Sequence, residues 1–248
     1  MLALLAALLH TGALVACKNA ESAPKVLAWT QSAPGISYAV LDIEGDDAFA
    51  GHAFAIDLTK ASVHLLAAGP AHQPVAVIAA RRPVHVAVNA SFFDETGKAM
   101  GRAVDDGKVM NVDRRAPWGA LVIDKGQAKI VKGDALPVEG AGGDLVVQGL
   151  PRLVVAGEVP KLKPASAERT AVCADGTNLV IIVTSKPVDT TAFARFLAKP
   201  RDKGGLGCKD ALNLDGGPST QLHARIGTLA VDVQGGWGVP NALVIEPR

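Results

Sequence analysis

Short apolar runs, separated by turns that contain Gly, Pro or Asp, dominate the chain after about residue 36. Many of these runs alternate between apolar and polar positions or are rich in β-branched residues, which is typical of strands. Two pairs of runs flank short turns, Asp124-Lys125-Gly126-Gln127 and Asp175-Gly176-Thr177, and this arrangement predicts two hairpins. The predicted strands are 38–43, 52–58, 62–67, 84–89, 119–123, 128–131, 169–174, 178–184, 211–215 and 242–245.

Helical periodicity is confined to two short segments. Residues 75–82 predict a helix that Pro83 stops. Residues 190–198 carry Phe and Leu side chains at helical spacing on one side, and Thr190 is the expected N-cap. Because strands outnumber helices, the chain predicts an α+β fold with strand-rich mixed or antiparallel sheet and few short helices.

Composition restricts the kinds of partner. The chain has 248 residues and a formal net charge of +1, so it lacks the basic footprint of a nucleic-acid-binding protein, and no nucleic-acid partner is expected. Aromatic residues make up only 4% of the chain, so a carbohydrate site has few rings for stacking. The rings near candidate site segments are Trp118, Trp237, Phe92 and Phe93.

The N-terminal segment predicts export. Residues 2–16 are almost all apolar, too short a run for a membrane span, and they end in Leu14-Val15-Ala16-Cys17, which resembles a lipobox. We therefore expect a lipoprotein signal peptide over 1–17, with lipid on Cys17, a tether over 18–34 and one functional domain over 35–248. The protein would be anchored to a bacterial membrane on its periplasmic or surface side. A buried N-terminal helix in a cytosolic protein is the alternative.

The cysteine pattern agrees with export. If Cys17 carries lipid, Cys173 and Cys208 remain as an even pair, which in an oxidising compartment favours a disulfide. Two buried free thiols are the alternative. No Cys-x-x-Cys pair is present, so the cysteines predict neither a zinc site nor a nucleophile.

The strongest local signal lies where the predicted strand 211–215 meets two glycines. Strand alternation puts Asn213 and Asp215 on one face, and two such polar groups are costly to bury without a partner. Glycines let backbone N–H groups approach a ligand, and two hydroxyls follow them. An ordinary turn, in which Asp215 accepts backbone hydrogen bonds, is the alternative. The residues that would bind phosphate or sugar oxygens are Asn213, Gly216, Gly217, Ser219 and Thr220.

Weaker signals come from two other segments. Asn89 ends a predicted strand and is a candidate for holding substrate oxygens. Asp94 follows two phenylalanines whose rings could desolvate it and raise its pKa, as suits a general acid. The alternative is that the rings fill the core and Asp94 caps a turn. Arg169 and Arg102 are candidate phosphate ligands because a guanidinium binds phosphate in a bidentate manner, but either could equally be a solvated surface side chain.

The order of these segments resembles the phosphodiester glycosidase family. The resemblance implies a domain that hydrolyses a sugar–phosphate diester at the anomeric carbon, and it covers most of the chain after residue 38. The segments that carry it are Val88-Asn89-Ala90-Ser91-Phe92-Phe93-Asp94, Gly101, Asp106-Gly107, Gln148-Gly149-Leu150-Pro151-Arg152-Leu153, Arg169-Thr170-Ala171-Val172, Phe193-Ala194-Arg195-Phe196-Leu197, Cys208 to Thr220 and Trp237-Gly238-Val239-Pro240-Asn241-Ala242-Leu243.

The implied chemistry passes through an oxocarbenium-like state. Asp215 is the expected catalytic carboxylate, as charge stabiliser, nucleophile or base, with Asp94 as acid or substrate-orienting group and Arg169 on the phosphate. This requires that residues 89–94, 169 and 213–220 converge on one accessible hollow. No ligand spacing requires a metal, so no cofactor is expected, although a divalent cation near Asp215 is compatible with the sequence. One alternative function is a surface lipoprotein that binds cell-wall polysaccharide or exopolysaccharide without cleaving it. Another is an enzyme that acts on a peptidoglycan-linked or other glycosidic substrate without phosphate.

Overall fold

The computed structural model describes residues 26–45 and 47–248. Strands dominate these residues, which also contain the short helices α1 (Val75–Ala79) and α2 (Thr190–Ala198) and three 3-10 turns, Gly133–Ala135, Arg201–Lys203 and Gly217–Ser219. In chain order the strands are β1 (Thr30–Ala33), β2 (Ile36–Ile43), β3 (Phe49–Asp57), β4 (Ala61–Ala67), β5 (Val86–Asn89), β6 (Ala103–Asp105), β7 (Lys108–Asn111), β8 (Gly119–Asp124), β9 (Gln127–Lys132), β10 (Leu145–Gly149), β11 (Arg152–Val154), β12 (Ser166–Ala167), β13 (Thr170–Asp175), β14 (Asn178–Thr184), β15 (Val188–Asp189), β16 (Ala211–Asn213), β17 (Leu222–Ile226), β18 (Leu229–Val233) and β19 (Asn241–Pro247).

These strands form three main sheets and one small ribbon. Sheet I has the order β1-β2-β3-β14-β13-β16-β11, sheet II β7-β6-β10-β8-β9 and sheet III β18-β17-β5-β19-β4, while β12 pairs with β15. Within the described residues, all paired strands run antiparallel. The predicted fold class, strand-rich sheet with few short helices, is confirmed.

The main hydrophobic core lies between the three sheets. It includes Ile181 and Leu212 from sheet I, Leu121 from sheet II and Val88 and Leu243 from sheet III, all fully buried. Burying one such aliphatic side chain stabilises the fold by roughly 1.5–3 kcal/mol. Because one core joins all three sheets, their strand ends are held at fixed positions relative to one another.

The outer faces of sheets I and III are covered by the helices. Helix α2 packs Phe193 and Leu197 on the second face of sheet I, and α1 packs Ile78 against the second face of sheet III. The predicted bounds of α2 are confirmed, but the predicted cap is wrong. Asp189, not Thr190, is the N-cap, since its carboxylate accepts hydrogen bonds from the N–H groups of Thr191 and Ala192.

Both predicted hairpins are confirmed, as β8–β9 and β13–β14. Helix α1 ends at Ala79, earlier than the prediction to residue 82, and β16 ends at Asn213 instead of residue 215. The predicted tether 18–34 is wrong at its end, because Thr30–Ala33 forms β1 and pairs with β2.

The predicted signal peptide over 1–17 and its lipidation site, Cys17, lie outside the described residues. Among the residues that are described, no helix has the length and apolar character needed to cross a membrane.

A disulfide joins Cys173 on β13 to Cys208, which precedes β16, and closes a loop with a sequence separation of 35. Replacing both cysteines by Ala is expected to lower the free energy of unfolding by about 3 kcal/mol, because the unfolded chain regains the entropy of the open loop. Urea denaturation of the variant and of the wild type, with and without reductant, measures the effect. Reductant should destabilise only the wild type, and equal stability of the two oxidised proteins would contradict the prediction.

Candidate active site

Three backbone segments meet directly after β16. The Leu214 N–H donates to the Thr170 carbonyl at 2.9 Å, and the Asp215 N–H donates to the Ala90 carbonyl at 3.1 Å. The Gly217 N–H then donates to the Glu168 carbonyl at 2.8 Å. The segment that follows β16 therefore lies between the start of β13 and the end of β5. The backbone convergence that the sequence required of residues 89–94, 169 and 213–220 is present.

Asn89, at the end of β5, binds these segments together through its side chain. It is fully buried, and its Nδ2 donates to the Asp215 carbonyl at 2.7 Å. Its Oδ1 accepts from the Thr170 hydroxyl at 2.6 Å and from the Gln221 N–H at 3.0 Å. Since Asn89 is buried and these three bonds occupy most of its amide, it holds the backbone of the site in place and does not hold substrate oxygens as the sequence predicted.

The glycine turn is shaped by close backbone packing. A Cβ on Gly216 would lie 2.9 Å from the Glu168 carbonyl oxygen, and Gly217 has a φ of +58° in the left-handed region. Both positions therefore favour glycine, but the close approach at Gly216 is to protein and not to a ligand.

The turn's backbone N–H groups are also occupied. Those of Asp215, Gly216, Gly217, Ser219 and Thr220 all have protein acceptors, and Pro218 has no N–H. The predicted phosphate cradle of free backbone N–H groups at Gly216 and Gly217 is therefore wrong. Whatever the turn binds must be recognised by side chains.

The Asp215 carboxyl is the central ionisable group of this turn. It is partly buried, its Oδ1 accepts from the Gly216 N–H at 2.9 Å, and the Ser219 hydroxyl is also hydrogen-bonded to it. Burial raises the pKa of Asp215, and the hydrogen bonds from Ser219 and Gly216 lower the pKa by less. The result is a carboxyl that is more basic than an exposed one, held in a fixed orientation and still reachable from solvent.

Two polar side chains near Asp215 each have a buried oxygen atom without a hydrogen-bond partner among the described residues. Asn213 is buried, and its Nδ2 donates to the carbonyls of Leu150 (2.9 Å) and Leu214 (2.6 Å). Its Oδ1 and the Thr220 Oγ1 are buried without a hydrogen bond among the described residues. A buried polar atom without a partner is costly. At this turn these two atoms are available for a further hydrogen bond.

Both predicted phosphate-binding arginines point elsewhere. The Arg169 Nη2 donates to the Ala165 carbonyl (2.5 Å) and to the Thr190 hydroxyl (2.6 Å), so its buried guanidinium lies against the start of α2. The Arg102 guanidinium is also buried and donates to the carbonyls of Gly140 and Val138. Both side chains hold chain segments in place, and these hydrogen bonds go to residues outside the Asp215 turn, which comprises residues 213–220.

Asp94 is also in a different electrostatic state from the one predicted. Its Oδ1 accepts from the Thr96 hydroxyl at 2.6 Å and from the N–H groups of Thr96 and Lys98. The hydrogen bond from the Thr96 hydroxyl, with those from the backbone, lowers the pKa of Asp94. The prediction of a desolvated general acid is therefore wrong, because Asp94 is ionised at neutral pH and stabilises its own loop.

The family model that describes phosphodiester glycosidases matches residues 82–246, which is more than half of the chain and includes β5 and the whole Asp215 turn. This chain belongs to the phosphodiester glycosidase family. No curated protein sequence matches it.

Solved structures share the fold of this phosphodiester glycosidase domain. The catalytic domain of a zebrafish N-acetylglucosamine-1-phosphodiester alpha-N-acetylglucosaminidase, auto-inhibited by its pro-peptide, is 20% identical, with a TM-score of 0.68 over 90% of this chain and 87% of that chain. A hypothetical protein from Synechocystis is 16% identical, with a TM-score of 0.64 over 92% of this chain and 64% of that chain. A putative exported protein from Burkholderia pseudomallei K96243 is 14% identical, with a TM-score of 0.54 over 84% and 76%.

Sequence reasoning missed several side chains that organise the site of this family member. The Gln221 Nε2 donates to the Trp237 carbonyl at 2.7 Å, and its Oε1 accepts from the Val75 N–H. Asn241 accepts from the Ser91 N–H and donates to the Ser91 hydroxyl. Gln221 and Asn241 are polar residues at or beside an end of a buried strand, which is the signal that could have identified them.

The raised pKa of Asp215 has a consequence for stability. At pH values between the ordinary aspartate pKa of 3.8 and the higher pKa of Asp215 in the folded protein, the folded protein binds more protons at this carboxyl than the unfolded chain does. The contribution of Asp215 to stability therefore falls as pH rises through this window. Asp215→Asn removes the titration, so the stability of the wild type relative to the variant should decrease from about pH 4 to about pH 7. Urea midpoints at both pH values measure this, and a constant difference would contradict the burial effect.

Proposed function

We propose that this protein is an extracytoplasmic hydrolase that cleaves a sugar–phosphate diester at the anomeric carbon. One observation carries the proposal within the phosphodiester glycosidase family: the partly buried Asp215 carboxyl, with its raised pKa, stands at a turn held by Asn89, Thr170 and Gln221. A fixed, solvent-accessible carboxyl of increased basicity suits general-base or nucleophilic catalysis.

The reaction can proceed with one essential carboxylate. A phosphate diester oxygen leaves readily without prior protonation, so the C1–O bond can break with its electron pair moving to the phosphate. Asp215 then either accepts a proton from the water that attacks C1 or bonds to C1 itself before water releases the sugar. Asp94 keeps only the substrate-orienting part of its predicted role. Asn213 and Thr220 supply the two unpaired buried oxygen atoms beside the turn.

A substrate panel tests this function. The purified protein is incubated with glycosyl phosphodiesters, beginning with a diester of N-acetylglucosamine 1-phosphate because the similar zebrafish domain is named for that linkage, and with simple aryl glycosides. We expect free sugar and phosphomonoester in equal amounts from the diesters only, with inhibition by inorganic phosphate. Turnover of simple glycosides without phosphate inhibition would contradict a diester substrate. Tight binding of polysaccharide without any product would favour the binding lipoprotein instead.

Lipid attachment at Cys17 is part of the proposal. The apolar run that precedes Cys17 is the feature that supports it. When the full chain is expressed in a bacterial host, we expect it to incorporate labelled palmitate and to sediment with membranes. Cys17→Ser should abolish both the label and the sedimentation. The same distribution and labelling in both proteins would contradict a lipid anchor at this residue.

A further inference from the structure

A cavity of about 660 Å³ lies next to the Asp215 turn, and Asp94 is among the residues that line it. We name it the Trp237 cleft. Its volume falls within the range of small-molecule binding sites. Its lining includes His72, Phe93, Asp94, Glu95, Gly236 and Trp237.

Three rings form one continuous wall of the Trp237 cleft. His72 meets Phe93 edge-on, with ring centroids 4.5 Å apart, and Phe93 lies 6.2 Å from Trp237 at an interplanar angle of 62°. Trp237 is 58% exposed, so a ligand in the cleft can reach its indole ring. An exposed indole face is suited to stacking against the apolar C–H face of a sugar ring.

The backbone that carries Trp237 is fixed from both sides. Its N–H donates to the Pro218 carbonyl at 3.1 Å, and its own carbonyl accepts from the Gln221 side chain at 2.7 Å. The Gly236 N–H also donates to the Pro218 carbonyl, at 2.8 Å. Because Pro218 lies three residues after Asp215, these bonds tie the cleft wall to the catalytic turn. A ring on a fixed backbone loses little entropy when it binds a ligand.

The charge of the cleft selects between the two halves of a sugar–phosphate substrate. Hydrogen bonds hold the pKa of Asp94 below its ordinary value, so Asp94 is anionic at neutral pH, and Glu95, the next residue in the chain, also lines the cleft. The described lining residues include no lysine or arginine. Carboxylates accept hydrogen bonds from sugar hydroxyls and repel phosphate. The cleft therefore suits a neutral sugar and not the phosphate group.

We propose that the Trp237 cleft is a glycan subsite that binds a neutral sugar ring of the substrate, stacked on Trp237, with its hydroxyls facing Asp94 and Glu95. As a substrate subsite it rests on the proposed function, since it takes the Asp215 turn as the reaction centre. It specifies the substrate further: a glycan with at least one uncharged sugar beside the scissile linkage.

Calorimetric titration of the full chain tests the subsite without using turnover. The probes are three neutral trisaccharides, maltotriose, cellotriose and triacetylchitotriose, with glucose 1-phosphate as the anionic probe. At least one neutral trisaccharide should bind, and Trp237→Ala should weaken that binding by about tenfold. Trp237→Phe retains a ring and is the matched control, so it should keep most of the affinity. Because Trp237 is exposed, we expect both variants to have melting temperatures close to that of the wild type.

A second variant tests the charge argument. Glu95→Gln keeps the shape of the side chain and removes its charge, so glucose 1-phosphate should bind about threefold more tightly to it than to the wild type. The neutral trisaccharides should bind both proteins alike. Unchanged anion affinity would overturn the selection by charge.

The outcomes separate this proposal from the proposed function. No binding of any trisaccharide, or equal binding by Trp237→Ala and the wild type, overturns the subsite even when diester hydrolysis through Asp215 is observed. Trisaccharide binding that Trp237→Ala weakens supports the cleft as a glycan site even when no diester is hydrolysed, in which case the hydrolase proposal fails and the subsite does not.

Discussion

Asp215→Asn is expected to reduce kcat/KM for a glycosyl phosphodiester by about 10²–10⁴-fold. Asn has nearly the same shape and keeps an oxygen that can accept from the Gly216 N–H, but it can neither take a proton from water nor bond to the anomeric carbon. The loss should appear mainly in kcat, because the group acts on the transition state more than on the bound substrate. Steady-state kinetics with the best substrate of the panel measures it.

The matched control is Asp94→Asn. Asp94 is the other carboxylate that the sequence placed in the reaction, but its oxygen accepts three hydrogen bonds within its own loop. Its replacement should raise KM and leave kcat within about tenfold of the wild type. If Asp94→Asn lowers kcat as much as Asp215→Asn does, the reaction needs both carboxylates, and the account with one essential carboxylate is wrong.

Asn89→Ala is expected to lower the free energy of unfolding by about 4 kcal/mol, because it leaves several buried polar groups without partners. The Thr170 hydroxyl, the Gln221 N–H and the Asp215 carbonyl would each lose a hydrogen bond. Hydrolysis should fall as well, since the same bonds hold the backbone that carries Asp215. Chemical denaturation, followed by circular dichroism, gives the stability change.

Asn178→Ala is the control for that measurement. Asn178 is exposed at the start of β14, beside the turn of its hairpin, so its replacement should change stability by no more than about 0.5 kcal/mol. If Asn89→Ala is as mild as Asn178→Ala, the Asn89 network does not hold the three segments together.

The sequence was most informative where one local rule decided the structure. The β13–β14 hairpin and α2 were predicted from alternation, a short turn and helical spacing. The predicted N-cap of α2, Thr190, was one residue too late. Asp189 and Thr190 are both residue types that favour this position, and which of them caps the helix depends on backbone angles that the sequence does not show.

Strands β6 and β7 of sheet II were harder to predict than its β8–β9 hairpin. β6 and β7 contain three and four residues, which is too short for a two-residue alternation to be recognised, and the pairing of β6 with β10 joins distant parts of the chain. The hairpin of β17 and β18 was not predicted, although apolar and polar residues alternate on both sides of Gly227-Thr228, a pattern that indicates a hairpin.

The sequence predicted which chain segments converge at the candidate site, but it did not predict which side chains and backbone groups contact one another there. Asp215 was identified from strand alternation and the glycines that follow it. The direction of the Arg169 guanidinium depends on where α2 begins in space, and the occupancy of the turn's N–H groups depends on Glu168 and Ala90, which are distant in sequence. Long-range partners of this kind have no local signature.

Hydrolysis of a glycosyl phosphodiester in ¹⁸O-water tests the central claim, attack at the anomeric carbon, most directly. Mass spectrometry of the phosphomonoester product shows which bond breaks, since this product does not exchange its oxygens on the time scale of the assay. If the C1–O bond breaks, as the account predicts, the phosphomonoester contains no ¹⁸O. One ¹⁸O atom in the phosphomonoester would mean that water attacked phosphorus, and it would contradict a glycosidase mechanism at Asp215.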